Sequence, residues 1–239
     1  MITWLSEMMN YLPENASTYG AEIDGLFYLI YLITGGVFLL VHVLLVTFLI
    51  RYRRREGRPA VYSHGNTAME ITWTVIPAFI LIGLSLLSKP TWDHVKREIP
   101  PGNIAMRVTA KQFNWEVIYP GPDGKFDTAD DLLLENDLHV PVNAVVHVAL
   151  RSKDVIHSFF VPAFRLKQDV LPGREIMAWF KATKPGRYEL PCAELCGFGH
   201  SGMKGWITVQ TPDDYETWTR EHWPGGAAAN AERAPAARG

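Results

Sequence analysis

Two long apolar segments in the first third of the 239-residue sequence constrain the fold most strongly. Residues 26–50 contain one strongly polar side chain, His42, and residues 71–87 form a second apolar run that includes Pro77. A helix needs about 20 apolar residues to cross roughly 30 Å of hydrocarbon, and membrane helices tolerate an internal proline. The pattern therefore predicts two transmembrane helices, with His42 satisfied by a neighbouring helix.

The charges around these segments indicate their orientation. Five arginines follow the first run: Arg51, Arg53, Arg54, Arg55 and Arg58. The positive-inside rule places such a loop in the cytoplasm. Residues 1–23 contain no lysine or arginine and do not match a signal peptide. We therefore expect an outer N-terminal segment over residues 1–25, a helix hairpin over residues 26–90, and both termini on the outer side of the membrane.

The rest of the sequence has the pattern of a soluble β domain. Proline and glycine separate short segments that are rich in β-branched and aromatic residues; the predicted strands are 104–109, 115–119, 138–140, 146–150, 176–180, 188–190 and 206–209. Many short strands with turn signals favour a sandwich or small barrel, here over residues 100–218. Residues 224–239 are expected to be disordered. The net charge of -2 excludes nucleic-acid binding driven by charge alone.

The chemistry is concentrated in residues 191–203, between two predicted strands. This segment contains Cys192, Cys196, His200 and Met203, and its glycines allow tight turns between them. Thiolate, imidazole and thioether donors together favour copper over magnesium or calcium. A single-copper electron-transfer site uses one cysteine, so the second cysteine is decisive. Two thiolates four positions apart can bridge a pair of copper ions.

Each ion of such a pair needs one histidine and one weaker ligand. His200 and Met203 supply part of this set. The best candidate for the second histidine is His157, in a loop-like segment after the predicted strand 146–150, and the backbone carbonyl of Glu194 is the candidate for the remaining weak ligand. A disulfide and a structural zinc site are the alternatives. The disulfide leaves His200 and Met203 unexplained, and zinc leaves Met203 without a role.

The full pattern is Cys192-x-Glu194-x-Cys196-x3-His200-x2-Met203, with His157-Ser158 upstream. It resembles the copper A motif of cytochrome c oxidase subunit II. The likeness extends to Glu70-x-x-Trp73-Thr74-x-x-Pro77, Gln112-Phe113-Asn114-Trp115 and Leu166-Lys167-x-Asp169-x-x-Pro172-Gly173-Arg174. It covers the chain from the first helix to about Trp218.

The resemblance implies a fold, a function and an assembly. The fold is an all-β cupredoxin-like barrel or sandwich preceded by a two-helix transmembrane hairpin. The function is to receive electrons for a respiratory terminal oxidase that reduces dioxygen to water. The partners are a subunit I with haems and copper, a subunit III, and cytochrome c or a similar donor at the outer face. The implied location is the plasma membrane of a bacterium, with the mitochondrial inner membrane as the alternative.

The resemblance also assigns roles to individual residues. Two copper ions would be held by His157, Cys192, Cys196, His200, Met203 and the carbonyl of Glu194. The carboxylate of Glu194 would bind magnesium or manganese at the interface with subunit I. Glu70 matches an acid at the cytoplasmic mouth of a proton channel; a solvated interfacial acid is the other interpretation. Phe113 and Trp115 belong to the aromatic segment that accepts electrons, unless they are core aromatics.

Several questions stay open at this point. The family usually has tryptophan where this chain has Phe113, which leaves the identity of the donor undecided. The acid-rich residues 121–131 are interpreted first as a solvated loop, then as a docking patch for a basic donor, and last as a calcium site. The rival functions are a stand-alone membrane-tethered cupredoxin electron carrier and a copper-free structural subunit of a quinol oxidase. The intact ligand set argues against the latter.

Overall fold

The computed structural model describes residues 12–59, 62–102, 104–121 and 123–223. The tail expected to be disordered, 224–239, lies outside these ranges, as do residues 1–11. The described chain divides into two compact units. One contains residues 22–94, and the other combines residues 12–21 with residues 95–223. The segment that precedes the first helix is therefore part of the same unit as the β domain.

Two long helices account for most of the first unit. Helix α1 spans Gly20–Arg51, and helix α2 spans Thr67–Trp92 and continues into one π-helical turn, Asp93–Arg97. Helix α2 begins where the side-chain oxygen of Asn66 accepts a hydrogen bond from the backbone N–H of Met69 (3.1 Å). Both helices are long and apolar enough to cross a membrane, and they agree with the two predicted spans.

The imidazole of His42 is bonded within helix α1. Its Nδ1 lies 2.8 Å from the carbonyl oxygen of Phe38, one turn earlier, and the two rings are in contact at an interplanar angle of 37°, with their centroids 3.9 Å apart. We expected a neighbouring helix to satisfy this histidine. The backbone of its own helix satisfies Nδ1 instead.

The second unit is a β domain followed by a helix, α3 (Pro212–His222). Its strands are β1 (Ile104–Lys111), β2 (Asn114–Tyr119), β3 (Leu132–Glu135), β4 (Asp137–Pro141), β5 (Val145–Ser152), β6 (His157–Val161), β7 (Leu166–Val170), β8 (Ile176–Lys181), β9 (Gly186–Pro191) and β10 (Lys204–Gln210). One sheet has the order β3-β2-β1-β5-β8 and another β4-β10-β9, while β6 and β7 form a two-stranded ribbon. Paired strands are antiparallel except β1 with β5 and β4 with β10.

The core lies between these sheets because alternate side chains of their strands point to one side. In β2, Trp115, Val117 and Tyr119 are buried while the residues between them are only half-buried. Phe159 and Phe180 come from β6 and β8 and are also fully buried. All of these side chains belong to one hydrophobic cluster. The cluster fixes the strand ends that carry the candidate metal ligands.

The structure contains the seven predicted strands and three that were not predicted: β3, β6 and β7. The expectation of a loop-like segment at His157 is wrong, because His157 is the first residue of β6. Five residue pairs join β6 to β7, from His157 opposite Val170 to Val161 opposite Leu166. The polar middle of β7 resembles a loop in the sequence, and only its two ends, Leu166 and Val170, are buried. Pairing and burial at these ends override the weak local signal.

An N-terminal strap, residues 13–19, is bonded into the β domain. Its Ala16 donates to the carbonyl of Ala163 (2.8 Å) and accepts from the N–H of Thr183 (2.9 Å). The hydroxyl of Tyr19 donates to the carbonyl of Trp179 (3.2 Å), and the two rings meet edge to face at 5.2 Å. Ala16 and Tyr19 have no exposed surface. The strap is therefore a structural part of the domain.

Candidate metal centre

Two paired strands hold the loop that contains both cysteines. Strands β9 and β10 are antiparallel, with Pro191 opposite Lys204, so both ends of residues 192–203 start from adjacent positions. The N–H of Cys192 donates to the carbonyl of Met203 (3.0 Å) and extends the ladder into the loop. The first and last sulfur-bearing residues of the motif are consequently fixed relative to each other.

Strand β6 brings His157 to the same place. Phe159 forms an isolated antiparallel bridge with Cys192, and the N–H of Ala193 donates to the carbonyl of Ser158 (3.1 Å). His157 is fully buried, and its Nδ1 lies 3.8 Å from the sulfur of Cys192. This contact joins residues 35 positions apart in the sequence. It depends on a strand that the sequence pattern did not predict.

The donor atoms around the two sulfurs form two similar sets. The sulfurs of Cys192 and Cys196 are 3.9 Å apart. The sulfur of Cys192 is near His157 Nδ1 and lies 3.3 Å from the carbonyl oxygen of Glu194. The sulfur of Cys196 lies 3.5 Å from His200 Nδ1 and 3.7 Å from Met203 Sδ. Each sulfur thus has one imidazole nitrogen and one weaker donor beside it. All six predicted ligand positions are brought together.

The local fold around the loop places the last two of these donors. A short 3-10 turn, His200–Gly202, is closed by hydrogen bonds from the N–H of His200 to the carbonyl of Gly197 (3.1 Å) and from the N–H of Met203 to the carbonyl of His200 (3.1 Å). The turn directs His200 and Met203 to the same sulfur. Met203 is 1 % exposed and Cys196 is 3 % exposed, so solvent has almost no access to this side of the centre.

The chemistry of this donor set fits a pair of copper ions. Both cysteines are free thiols, which excludes the disulfide in this structure. A zinc site with two cysteines and two histidines would leave the buried thioether of Met203 without a partner. Two thiolates, two imidazoles and two weak donors would instead supply a full ligand set for two soft-to-borderline ions. Such a set would leave no position for a substrate, and the arrangement therefore suits electron transfer better than bond chemistry.

Burial and the neighbouring sulfur of Cys192 raise the pKa of Cys196 to about 11. A thiol with this pKa is neutral at physiological pH. Metal ligation requires the thiolate, so binding of a metal here would release a proton from this position.

Asp154 holds the ring of His157 and was not recognised from the sequence as part of the site. Its Oδ1 lies 2.8 Å from His157 Nε2. Although burial opposes ionisation, hydrogen bonds from His157 and from the backbone N–H groups of Gln112 and Val155 keep the pKa of Asp154 below its usual value. An ionised Asp154 accepts a hydrogen bond from the N–H at Nε2 of His157. The other ring nitrogen, Nδ1, is then available as a ligand atom. The aspartate three positions before the histidine is the signal that could have revealed it.

The turn between β1 and β2 lies against the ligand loop. The side-chain amide of Gln112 donates to the carbonyl of Cys196 (2.5 Å), and its backbone N–H donates to Asp154 (2.7 Å). The ring of Phe113 packs against the glycines on either side of Phe198: a Cβ added to Gly199 would lie 2.5 Å from Phe113 Cδ2, and one added to Gly197 would lie 3.2 Å from the ring. Phe113 thus covers the loop directly.

The two aromatic residues predicted to accept electrons lie in different environments. Phe113 is 38 % exposed, whereas Trp115 has no exposed surface. The indole of Trp115 meets His157 edge to face at a centroid distance of 6.2 Å and Phe159 at 5.8 Å. Direct contact with a donor is therefore open to Phe113 and closed to Trp115. Trp115 is packed in the core behind a candidate ligand, and its assignment to electron entry stays a prediction.

The remaining predicted residues lie at exposed positions. Glu194 directs its carbonyl at Cys192 while its side chain is exposed. Glu70 lies exposed in the first turn of α2. In the acid-rich loop, Asp131 accepts hydrogen bonds from the N–H groups of Gly121 (3.2 Å) and Asp127 (2.6 Å). Asp127 also pairs with Arg107 (2.7 Å). These carboxylates stabilise the loop itself, and all three interpretations of its role stay predictions.

The fold and the donor cluster together define a class of protein: a membrane-anchored β domain with a buried set of two thiols, two imidazoles and two weaker donors that could hold an electron-transfer metal centre. Comparison with known proteins agrees. Residues 109–211 match the family model described as cytochrome c oxidase subunit II, periplasmic domain, and residues 5–90 match its transmembrane domain.

Two homologous proteins give the same result, and one solved structure is reported beside them. Cytochrome c oxidase subunit 2 of Thermostichus vulcanus is 33 % identical over 92 % of this chain and 80 % of its own length. The probable subunit 2 of Rickettsia bellii is 35 % identical over 86 % and 80 %. The crystal structure of the periplasmic domain of subunit II (CoxB) of Bradyrhizobium japonicum is 30 % identical, with a TM-score of 0.46 over 57 % of this chain and 99 % of that one.

The chain therefore belongs to the cytochrome c oxidase subunit II family, whose members receive electrons for haem–copper oxidases. This confirms the resemblance and the fold class inferred from the sequence, an all-β cupredoxin-like domain preceded in the chain by a two-helix membrane hairpin. It also makes the chain a membrane-embedded subunit of an oxidoreductase complex.

Proposed function

We propose that this chain receives electrons at the outer face of the membrane and passes them to haem in a partner subunit I, through two copper ions held by His157, Cys192, Cys196, His200, Met203 and the carbonyl of Glu194. The observation that carries the proposal is the pairing around the two sulfurs, where each thiol has its own imidazole Nδ1 within 3.8 Å. A pair of bridged ions requires this twofold arrangement, and a single-ion site does not.

The copper pair would supply one redox unit that shares an unpaired electron between two ions. The protein's part is to keep the ligands still while the charge changes. Backbone hydrogen bonds fix Cys192 and Met203 to each other, and Asp154 fixes His157. Burial of the ligands excludes water, whose reorientation would otherwise oppose electron transfer.

Electrons would arrive at Phe113 and leave through His200. Phe113 is the exposed aromatic residue whose ring lies on the ligand loop, and the Gln112 amide links its turn to the carbonyl of Cys196. Trp115 would support His157 from inside the domain. His200 is half-buried at the opposite sulfur from His157, which supports its role as the exit. The donor would be cytochrome c or a similar redox protein.

Substitution of Gly199 by alanine should slow electron uptake and leave metal binding intact. The new Cβ would lie 2.5 Å from Phe113 Cδ2, so the ring must shift away from the loop. We expect the rate of reduction by a protein donor to fall about fivefold, as for the loss of a ~1 kcal/mol contact. Stopped-flow reduction and copper analysis measure the two properties. Gly202→Ala is the matched control, because nothing lies within 4 Å of its Cβ; equal rates for both variants would contradict the role of Phe113.

Further roles concern the rest of the complex. The exposed carboxylate of Glu194 would bind magnesium or manganese shared with subunit I, since these harder ions prefer oxygen ligands. Glu70, at the start of α2, would serve the entrance of a proton channel. A subunit III would complete the membrane assembly. The exposed apolar faces of α1 and α2 support extensive contact with other membrane helices or lipid.

Both termini would lie outside the plasma membrane of a bacterium. Residues 12–21 and 95–223 form one compact unit, which supports a position on the same side of the membrane for the segments before α1 and after α2. The arginines after α1 favour the cytoplasm for the loop between the helices. These two observations together support the outward orientation of the β domain.

Affinity purification of the full chain from its native membrane tests the function. The proposal predicts that a haem-bearing membrane subunit copurifies with it and that the preparation consumes dioxygen when it is supplied with reduced cytochrome c. A copper-loaded chain that is purified alone and still accepts electrons would instead support the stand-alone carrier. A chain that binds no copper would contradict both functions.

A further inference from the structure

Phe198 is an apolar side chain that is exposed to solvent beside the candidate metal centre. It lies between the ligands Cys196 and His200, and its relative exposure is 107 %. A single exposed apolar residue is common on protein surfaces. Here, however, the ring of Phe113 packs against the two flanking glycines, Gly197 and Gly199. This ring fills the space into which Phe198 would have to turn to become buried. The loop therefore presents this ring to solvent in the free chain.

Phe198 is one of several exposed apolar side chains on segments that are hydrogen-bonded to one another. The donor-facing patch consists of Phe113, Val155, Ile156 and Phe198, whose relative exposures are 38 %, 37 %, 44 % and 107 %. Three backbone segments carry it, and Gln112 joins them through its hydrogen bonds to Asp154 and to the carbonyl of Cys196. Exposed apolar groups that are gathered around a functional site indicate an interaction surface.

The charged groups beside the patch neutralise one another. Glu116 forms ion pairs with Lys111 (2.6 Å) and with Lys153, and Lys111 also approaches Glu135 (3.4 Å). Although burial opposes ionisation, these lysines keep the pKa of Glu116 below its usual value. The two lysines and the two glutamates beside the patch are thus paired with one another, and Asp154 is paired with His157. A strongly basic or strongly acidic partner would gain little attraction here.

From these observations we infer that Phe198 is the anchor of donor docking, and that the surface selects a redox protein whose cofactor edge is framed by apolar side chains. The inference rests on the proposed function and specifies its partner. Insertion of the Phe198 ring between the partner's apolar groups would bring that edge onto the loop that holds Cys196 and His200. Phe198 thereby replaces the contact area that is lost where phenylalanine occupies position 113. Binding would depend on apolar contact more than on charge.

The full-length, copper-loaded protein in detergent allows a direct test. Reduction of the centre is followed by stopped flow with two reductants, a soluble cytochrome c and the small ion hexaammineruthenium(II). We expect Phe198→Ser to lower the second-order rate constant with cytochrome c about tenfold, as for loss of a well-packed aromatic anchor. The rate with the small ion should not change. Leu133→Ser, at an exposed apolar position on β3, is the matched control and should alter neither rate.

Several results would overturn the inference. An unchanged rate of the Phe198→Ser variant with cytochrome c would show that the ring does not contribute to docking. An equal decrease with both reductants would show that it acts on the centre itself. A wild-type rate that falls more than about tenfold between low and physiological salt would indicate docking steered by charge. A different result would contradict the proposed function itself: the wild-type protein would then accept electrons from neither reductant.

Discussion

Replacement of Cys196 by serine should abolish the dinuclear centre. The sulfur of Cys196 lies 3.5 Å from His200 Nδ1, 3.7 Å from Met203 Sδ and 3.9 Å from the sulfur of Cys192. A serine hydroxyl is a harder and far less acidic donor that does not bridge copper ions. Loss of a residue that merely supports a ligand costs roughly 10–100-fold in affinity or activity. We therefore expect electron uptake from cytochrome c to fall by more than about 100-fold.

The measurement combines copper analysis with stopped-flow reduction of the full-length protein. The variant should retain its fold, because serine is close to cysteine in size, and circular dichroism checks this. Ser201→Ala changes an exposed residue of the same loop and should leave copper content and rate unchanged. Retention of both copper ions and of rapid reduction by the Cys196→Ser variant would show that this sulfur is not a bridging ligand.

The second large effect concerns stability. Tyr19→Ala should lower the free energy of unfolding of the β domain by about 3–5 kcal/mol, the usual cost of deleting a large buried aromatic side chain. Tyr19 has no exposed surface and packs edge to face on Trp179. Tyr19→Phe keeps the ring and loses only the hydrogen bond to the carbonyl of Trp179, so we expect a loss of about 1 kcal/mol.

Thermal unfolding of the full chain in detergent, monitored by circular dichroism, ranks these variants. Leu133→Ala at an exposed position should change stability by no more than about 0.5 kcal/mol. If Tyr19→Ala unfolds at the same temperature as wild type, the N-terminal strap is not part of the domain. The prediction also implies that a soluble domain prepared without residues 13–19 is destabilised.

The proximity of most candidate ligands was predictable because it depends on local spacing. Cys192, Cys196, His200 and Met203 lie in one loop, so the sequence alone places them within reach of one another. The membrane spans were predictable for the same reason, since the length of an apolar run decides whether it can cross a bilayer. His157 lies 35 positions before Cys192, and only the need for a second imidazole points to it.

Other features depend on contacts that the sequence pattern does not encode. The strap joins residues before α1 to strands more than a hundred positions later, and no periodic signal marks it. Asp154 becomes part of the site only because β6 turns His157 inward. The pair Phe113 and Trp115 looks like two residues of one strand face, but β2 begins at Asn114. Phe113 therefore lies in the turn and outside the alternation that buries Trp115.

The central claim is that two sulfurs jointly hold a pair of copper ions that behave as one redox unit. Copper quantification together with electron paramagnetic resonance of the purified, oxidised full-length protein tests it most directly. The account predicts two copper ions per chain and a hyperfine pattern from one electron shared equally by both nuclei. One copper ion per chain, with the four-line pattern of an electron localised on a single nucleus, would contradict it.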